Sequence, residues 1–165
     1  MARDFDGTND SIDLAAGPGS ITVLDPAFPM TVGAWVYPDT TGAAQCVIAR
    51  GRGGVSGWGL FWTNSSDARV TFVKFGVVVI SSASVTVSTG QWQFIGASVT
   101  STNVRLLKLT LPETLTAADV ANSQAFITPG AGAPESKIGA DDNSTGVDAD
   151  FANGRIANVS VLIGV

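Results

Sequence analysis

The side chains that most often perform catalysis are scarce in this sequence. Histidine is absent, which excludes serine–histidine–aspartate and cysteine–histidine catalysis and histidine-ligated zinc. Glycoside hydrolysis needs two carboxylates placed across the scissile bond, yet the only glutamates, Glu113 and Glu135, each adjoin a proline in an irregular stretch. The single cysteine, Cys46, lies in an apolar run and is predicted to be a buried structural thiol. We therefore expect no enzymatic activity.

Aspartates cluster near both ends of the chain, and their oxygen atoms are the ligands that a hard cation prefers. Calcium binds several carboxylate, carbonyl and water oxygens at once. Asp6 and Asp10 from the first cluster and Asp141 from the second are the predicted ligands of a structural calcium ion. The alternative is that these aspartates cap turns and keep the surface soluble. No cofactor is expected to be required.

Glycan binding needs exposed aromatic rings with polar side chains beside them. Trp58 and Trp62 are four residues apart on a predicted strand and therefore share one face. Arg52 and Asn64 lie close to them in sequence, so these four residues are the predicted glycan contacts. The alternative is that an evenly spaced tryptophan pair on a sandwich strand belongs to the core.

Charge and hydropathy exclude several kinds of partner. The net charge is −5 and the nine basic residues are scattered singly, which argues against nucleic acid and anionic membranes. No apolar run reaches the length of a membrane span, and the N-terminus lacks a basic stretch followed by an apolar one, so we expect no signal peptide. Only 14% of residues are charged. Such a surface suits a protein that packs against neighbours or works outside the cell, or a β domain that uses Ser and Thr instead of Lys and Glu.

Short β-branched and aromatic runs alternate with clusters of Gly, Pro, Asn, Asp and Ser, a pattern typical of a sandwich or barrel. No linker divides the chain, so residues 1–165 are predicted to form one domain. The stretch Pro112–Pro134 is predicted to be a long loop, with a helical turn or hairpin at Thr116–Ala121. The predicted strands are Arg3–Asp6, Ser11–Leu14, Met30–Tyr37, Gln45–Arg50, Gly57–Thr63, Arg69–Phe75, Val77–Ser81, Gln91–Thr100, Asn103–Leu111, Lys137–Ala140 and Gly154–Gly164.

Six segments carry recognisable motifs, in the order Phe5–Ile12, Met30–Pro38, Gly57–Leu60, Gly90–Trp92, Lys137–Ala140 and Phe151–Val159. Together they resemble the motifs of the laminin-G-like (concanavalin-type) jelly-roll family. The resemblance implies an all-β, two-sheet antiparallel jelly-roll sandwich whose chain ends lie close together, and whose members bind glycans, proteins or calcium. It also implies that Trp35 and Trp92 point into the core between the sheets. The chain departs from the family's last strand, G-x-I-D-E-V, at Ala157 and Asn158.

These features together predict a non-catalytic structural or adhesion protein with a lectin-like fold, on the surface of a virion such as a bacteriophage or decorating its capsid. The expected partners are other virion or capsid proteins, further copies of the chain in a homo-oligomer, and glycans. The alternative is a carbohydrate-binding module, or lectin, of a secreted or cell-surface system. A glucanase-type hydrolase is opposed by the missing pair of carboxylates.

Overall fold

The computed structural model describes residues 1–14, 24–63, 67–129, 136–143 and 145–164, and in it the chain forms two stacked β-sheets. Most strands are five to eleven residues long, within the usual range for strands joined by short turns. The strands are β1 (Ala2–Asp6), β2 (Ile12–Asp13), β3 (Met30–Pro38), β4 (Gln45–Arg52), β5 (Ser56–Thr63), β6 (Arg69–Lys74), β7 (Val78–Thr86), β8 (Gln93–Val99), β9 (Asn103–Thr110), β10 (Thr114–Ala121), β11 (Ser136–Ile138), β12 (Asp141–Asp142), β13 (Asp148–Ala149) and β14 (Asn153–Ile163).

The first sheet has six strands in the order β1-β14-β3-β8-β9-β10, so the two ends of the chain pair at one side of it. The second sheet runs β13-β12-β4-β5-β6-β7, with β2 and β11 attached beside β4. Pairing is antiparallel throughout, apart from one parallel bridge between β12 and β4. The described part of the chain contains no α-helix, and none of its segments is a helix long and apolar enough to cross a membrane. The prediction of an all-β sandwich of two sheets is confirmed.

The main core lies between the sheets because each strand turns alternate side chains inward. On β5, Trp58, Leu60 and Trp62 face this core. The intervening Phe61 faces the other way and joins a smaller buried cluster on the outer side of the second sheet, together with Cys46, which confirms that thiol as buried. The second sheet therefore has apolar groups on both of its sides.

The segment Thr116–Ala121 is a strand, so the helical turn predicted there is wrong and the hairpin alternative is the correct one. It lies in β10, which pairs along its whole length with β9. A turn whose Glu113 has a positive φ of 41° reverses the chain between these strands. The segment forms a strand because Ala118 and Val120 then pack against the core, whereas an isolated six-residue helix is stabilised little by its own hydrogen bonds.

The buried Lys74 of β6 fixes the segment that follows β10. Its Nζ atom donates to the Asn122 side chain at 2.7 Å and to the Gln124 carbonyl at 2.6 Å. The rings of Phe28 and Phe126 lie 5.1 and 4.9 Å from the same ammonium. Burial lowers the pKa of Lys74. This lysine has partners on several sides, and its role is to hold the segment against the sandwich.

Candidate functional site

Trp58 and Trp62, two of the predicted glycan contacts, are parts of the main core. Both side chains are 0% exposed. Trp58 stacks on Phe72 with ring centroids 6.2 Å apart, and its indole nitrogen donates to the carbonyl of Leu24 at 3.0 Å. No sugar can reach either ring, so their prediction as glycan contacts is wrong and the core alternative is correct. Asn64, predicted beside them, lies outside the described residues.

Trp35 and Trp92 have the opposite placement, because both are half-buried on the outer side of the six-stranded sheet rather than in the core. The residues that alternate with them point inward. On β3 these are Ala34 and Val36, and at the start of β8 it is Gln93. Gln93 is tolerated inside because its amide donates to the Ser88 carbonyl at 2.6 Å and accepts from the Ser88 N–H at 3.2 Å. The expectation that Trp35 and Trp92 fill the core is therefore wrong.

Four aromatic residues meet on this outer surface, and we call Trp35, Tyr37, Trp92 and Phe94 the aromatic face. Trp35 and Phe94 are directly opposite on β3 and β8, with ring centroids 6.0 Å apart in an edge-to-face arrangement. Tyr37 and Trp92 form a second edge-to-face pair at 5.7 Å. The aromatic face thus consists of two edge-to-face ring pairs, an arrangement that contributes about 0.5–1.5 kcal/mol per pair beyond the burial of area.

Trp35 and Phe94 of the aromatic face belong to an apolar row of residues that crosses the whole six-stranded sheet. The pairing registers place one residue from each of the six strands in line. Leu115, on the edge strand β10, is 67% exposed at one end of the row. Phe94 lies over Gly33, where any side chain would collide with its ring. The row consists of Ala2, Ala157, Trp35, Phe94, Leu109 and Leu115.

A groove of about 320 Å³ runs beside the tryptophans. Its walls include Trp35, Trp92 and Leu111, and Asn158 contributes an exposed polar side chain. Asn158 sits at a bulge in β14 with a positive φ of 50°, a conformation that asparagine tolerates better than most residues. The bulge interrupts the alternation of β14 at the edge of the groove.

A charged pair borders the aromatic face next to Tyr37. The Arg155 guanidinium lies 4.7 Å from the centre of the Tyr37 ring, and its Nε atom donates to Asp4 at 2.8 Å. The Asp4 carboxylate and the neighbouring Asp39 contribute to raising the pKa of Arg155. The surface therefore combines apolar rings with donors and acceptors at its rim, the composition typical of sites that bind polar organic ligands.

Arg52, the fourth predicted glycan contact, lies on the second sheet and so is separate from the aromatic face. It ends β4, pairs with Ser56 of β5, and lies opposite Asp142 of β12. Its guanidinium packs against Gly146, where an added Cβ would lie 2.6 Å from one terminal nitrogen. Its neighbours are thus the acidic strands β12 and β13 rather than exposed aromatic rings.

The three predicted calcium ligands do not form one site. Asp6 and Asp10 belong to the turn after β1, where they accept hydrogen bonds from the N–H groups of Thr8 (2.8 Å) and Asp6 (3.2 Å). Asp141 is buried in β12. Within the described ranges no group of three or more Asp, Glu or Cys side chains is arranged to hold a metal ion. The hydrogen bonds of Asp6 and Asp10 fit the alternative prediction, that these aspartates cap a turn.

The second acidic cluster has unusual electrostatics that the sequence did not indicate. Burial raises the pKa of Asp141 to about 7, with further upward contributions from Asp150 and Asp142. Burial also raises the pKa of Asp150. Burial, with the nearby charges of Asp141 and Asp150, raises the pKa of the Cys46 thiol. Lys137 lies at one side, donating to Asp148 at 2.8 Å. In this cluster Lys137 neutralises Asp148, whereas Asp141 and Asp150 ionise less readily than ordinary carboxyl groups.

The chain resembles solved structures only in fold. No family model matches it, and no curated protein matches its sequence. A carbohydrate-binding module, CBM40 of the Ruminococcus gnavus IT-sialidase bound to α2,3 sialyllactose, matches with a TM-score of 0.65 at 17% identity, over 98% of this chain and 90% of that one. The LG1-3 region of the laminin alpha2 chain matches with a TM-score of 0.62 at 10% identity, over 97% of this chain and 30% of that one.

A third similar structure is the enzymatically active domain of tailspike protein 2 from bacteriophage CBA120. The TM-score is 0.59 at 14% identity, and the match covers 96% of this chain but 24% of that one. The chain thus spans less than a third of the laminin and tailspike chains. At these identities the likeness concerns backbone arrangement alone. The chain has the laminin-G-like, concanavalin-type jelly-roll fold.

Proposed function

We propose that this chain is a non-catalytic glycan-binding protein and that its aromatic face packs against sugar rings. The observation that carries this proposal is the pairing of Trp35 and Trp92 with Phe94 and Tyr37 on an exposed sheet surface. The C–H groups of a pyranose ring pack well against an aromatic ring, and hydroxyl groups need donors and acceptors beside it. Arg155 and Asn158 provide such groups at the rim.

Two further observations support a binding role. The Ruminococcus gnavus module, which has the same fold, is described as bound to a sialylated sugar. The second observation is the groove of about 320 Å³ beside Trp35 and Trp92, which offers a concave surface next to these rings. An aromatic surface beside a groove, with hydrogen-bond donors and acceptors at its rim, suits the binding of a glycan.

Replacing either of the outward-facing tryptophans, Trp35 or Trp92, is expected to abolish most glycan binding. A glycan array identifies the preferred sugar, and calorimetry then compares the wild type with Trp92→Ala and Trp35→Ala. Each variant is expected to lose about 10-fold or more in affinity, because aromatic residues at the centre of a contact dominate binding energy. Val79→Ala is the control, since Val79 is exposed on the other sheet. Unchanged affinity in both tryptophan variants, or an equal loss in the control, contradicts the proposal.

We propose that the protein is displayed on a virion surface, where it contacts virion proteins or further copies of itself; a secreted or cell-surface lectin is the alternative. The low content of charged residues, 14%, suits a surface that is covered by neighbours. The likeness in fold to a bacteriophage tailspike domain supports the same location.

The assembly state tests this location. Light scattering of the purified chain is expected to give a stable oligomer, and mass spectrometry of particles from its source is expected to find many copies per particle. Leu115→Lys places a charge on the edge strand β10 and is expected to weaken an oligomer that packs through this edge, an arrangement that leaves the aromatic face free for glycans. A monomer that is absent from all particles would favour the secreted alternative.

A further inference from the structure

The outer side of the second sheet has a cleft that the proposed glycan site does not use. It has a volume of about 360 Å³, and we call it the acidic cleft, defined by Gly53, Phe61, Phe75, Asp141 and Asp150. It lies on the opposite sheet from the aromatic face. A ligand bound in the acidic cleft would therefore leave the aromatic face free.

Asp141 is a buried carboxylate that lacks part of its expected bonding. The residue is 4% exposed, and its Oδ1 atom has no hydrogen-bond partner. Its Oδ2 atom faces Gly53, where an added Cβ would lie 2.9 Å away. A buried polar atom without a partner is costly, and a bound ligand, an ordered water or ion, a catalytic role or local strain can account for it. The cleft thus contains an acceptor that needs a donor.

The charges around Asp141 indicate that the donor is a cation. The ionisable groups that act on it are Asp150, Asp142 and Asp148, all of them carboxylates that raise its pKa. The ammonium of Lys137 lies 2.8 Å from Asp148 and 3.6 Å from Asp142, so its charge is placed at these two carboxylates rather than at Asp141. A positive group at Asp141 would relieve the repulsion among these carboxylates.

The floor of the cleft indicates that the cation has a carbon chain. Phe61 and Phe75 form an edge-to-face pair there, with ring centroids 6.4 Å apart. Val73 and Val79 extend the same apolar surface along the β6–β7 hairpin. A bare metal ion gains nothing from contact with apolar rings, and the described residues contain no group of three or more Asp, Glu or Cys side chains that could hold one. An aliphatic stem would bury its surface against these rings.

We propose that the acidic cleft binds a primary ammonium group carried on a short aliphatic stem, with the ammonium donating to Asp141 and the stem packed on Phe61 and Phe75. This chemistry is shared by free alkylamines and lysine side chains. The proposal is independent of the glycan site, since its residues lie on the other sheet.

The test is a titration of the intact chain with n-butylamine in weakly alkaline buffer, followed by nitrogen-15 NMR. Saturable shifts are expected at Gly53, Phe61 and Asp150, and 1-butanol, which has the same stem without the charge, is expected to cause none. Asp141→Asn is expected to weaken binding by about 10-fold or more, because it removes the charge that faces the ammonium. Asp119→Asn, which removes a carboxylate from the six-stranded sheet, is the matched control.

A second variant and a second ligand keep the test decisive. Gly53→Ala retains every charge but places a methyl group 2.8 Å from the Asp142 carbonyl oxygen and 2.9 Å from the Asp141 Oδ2 atom, so it too is expected to weaken binding, and circular dichroism checks that the variant folds. A lysine derivative blocked at both backbone ends identifies a polypeptide source if it binds more tightly than butylamine. Equal shifts with 1-butanol, unchanged binding in both variants, or Asp141-dependent binding of calcium chloride in place of the amine would overturn the proposal.

Discussion

The variant Trp58→Ala is expected to lose about 4 kcal/mol of unfolding free energy, the largest effect of any single tryptophan replacement that we predict. Trp58 is fully buried, stacks on Phe72 and donates to the carbonyl of Leu24. Truncation leaves a cavity in the main core and an unpaired carbonyl. Urea unfolding followed by circular dichroism measures the change.

The control for this experiment is Trp35→Ala, which removes the same side chain from the outer surface of the other sheet. Trp35 is only half-buried, so its removal is expected to cost roughly 1 kcal/mol of unfolding free energy. The two variants also separate stability from binding, because Trp35→Ala is expected to lose glycan affinity while remaining folded. Equal losses of stability in the two variants would contradict the assignment of Trp58 to the core and of Trp35 to the outer surface.

Stability is expected to fall between pH 5 and pH 8, and Asp141 is the cause. Its pKa rises from 3.8 to about 7 on folding. The folded state therefore holds a proton that the unfolded state has already released, and stability decreases as the pH rises through this window. The shift corresponds to about 2–3 kcal/mol across that range. Asp150, whose pKa is also raised, acts in the same direction.

Few other groups complicate this measurement. The chain has no histidine, the residue that ordinarily titrates in this range. The pKa of Asp148 is lowered, so the stability that it contributes is lost only in more acidic solution. Unfolding in urea at several pH values measures the slope, and Asp141→Asn is expected to flatten it. A wild-type protein that is more stable at pH 8 than at pH 5 contradicts the assignment.

Much of the architecture could be predicted from local patterns. The alternating apolar runs and the turn glycines correctly indicated an all-β sandwich, because strand periodicity and turn chemistry depend on neighbouring residues alone. Turn glycines such as Gly7, Gly90 and Gly154 have positive φ angles, of 78°, 73° and 143°, which other residues adopt only with strain. The burial of Cys46 followed from its apolar surroundings in the same way.

The strand at β10 could not be predicted locally, because its residues form a strand only through pairing with β9 and packing of Ala118 and Val120 on the core. The acidic cleft is also a tertiary product. Asp141 and Phe61 are far apart in sequence, and they line one cleft because β12 pairs with β4, which pairs with β5. No spacing in the sequence indicates such an arrangement.

The sequence by itself determined that four tryptophans lie on or beside strands in a two-sheet sandwich. Only the tertiary structure decided which pair is buried. Strand alternation separates two sets of side chains but does not say which set faces inward, and β3 has apolar residues in both sets. Packing between the sheets and the bonding of the Gln93 amide to Ser88 turn Trp35 and Trp92 outward. Trp58 and Trp62 are buried by the same packing, because each sheet turns only one of its two faces toward the core and these tryptophans lie on that face of the second sheet.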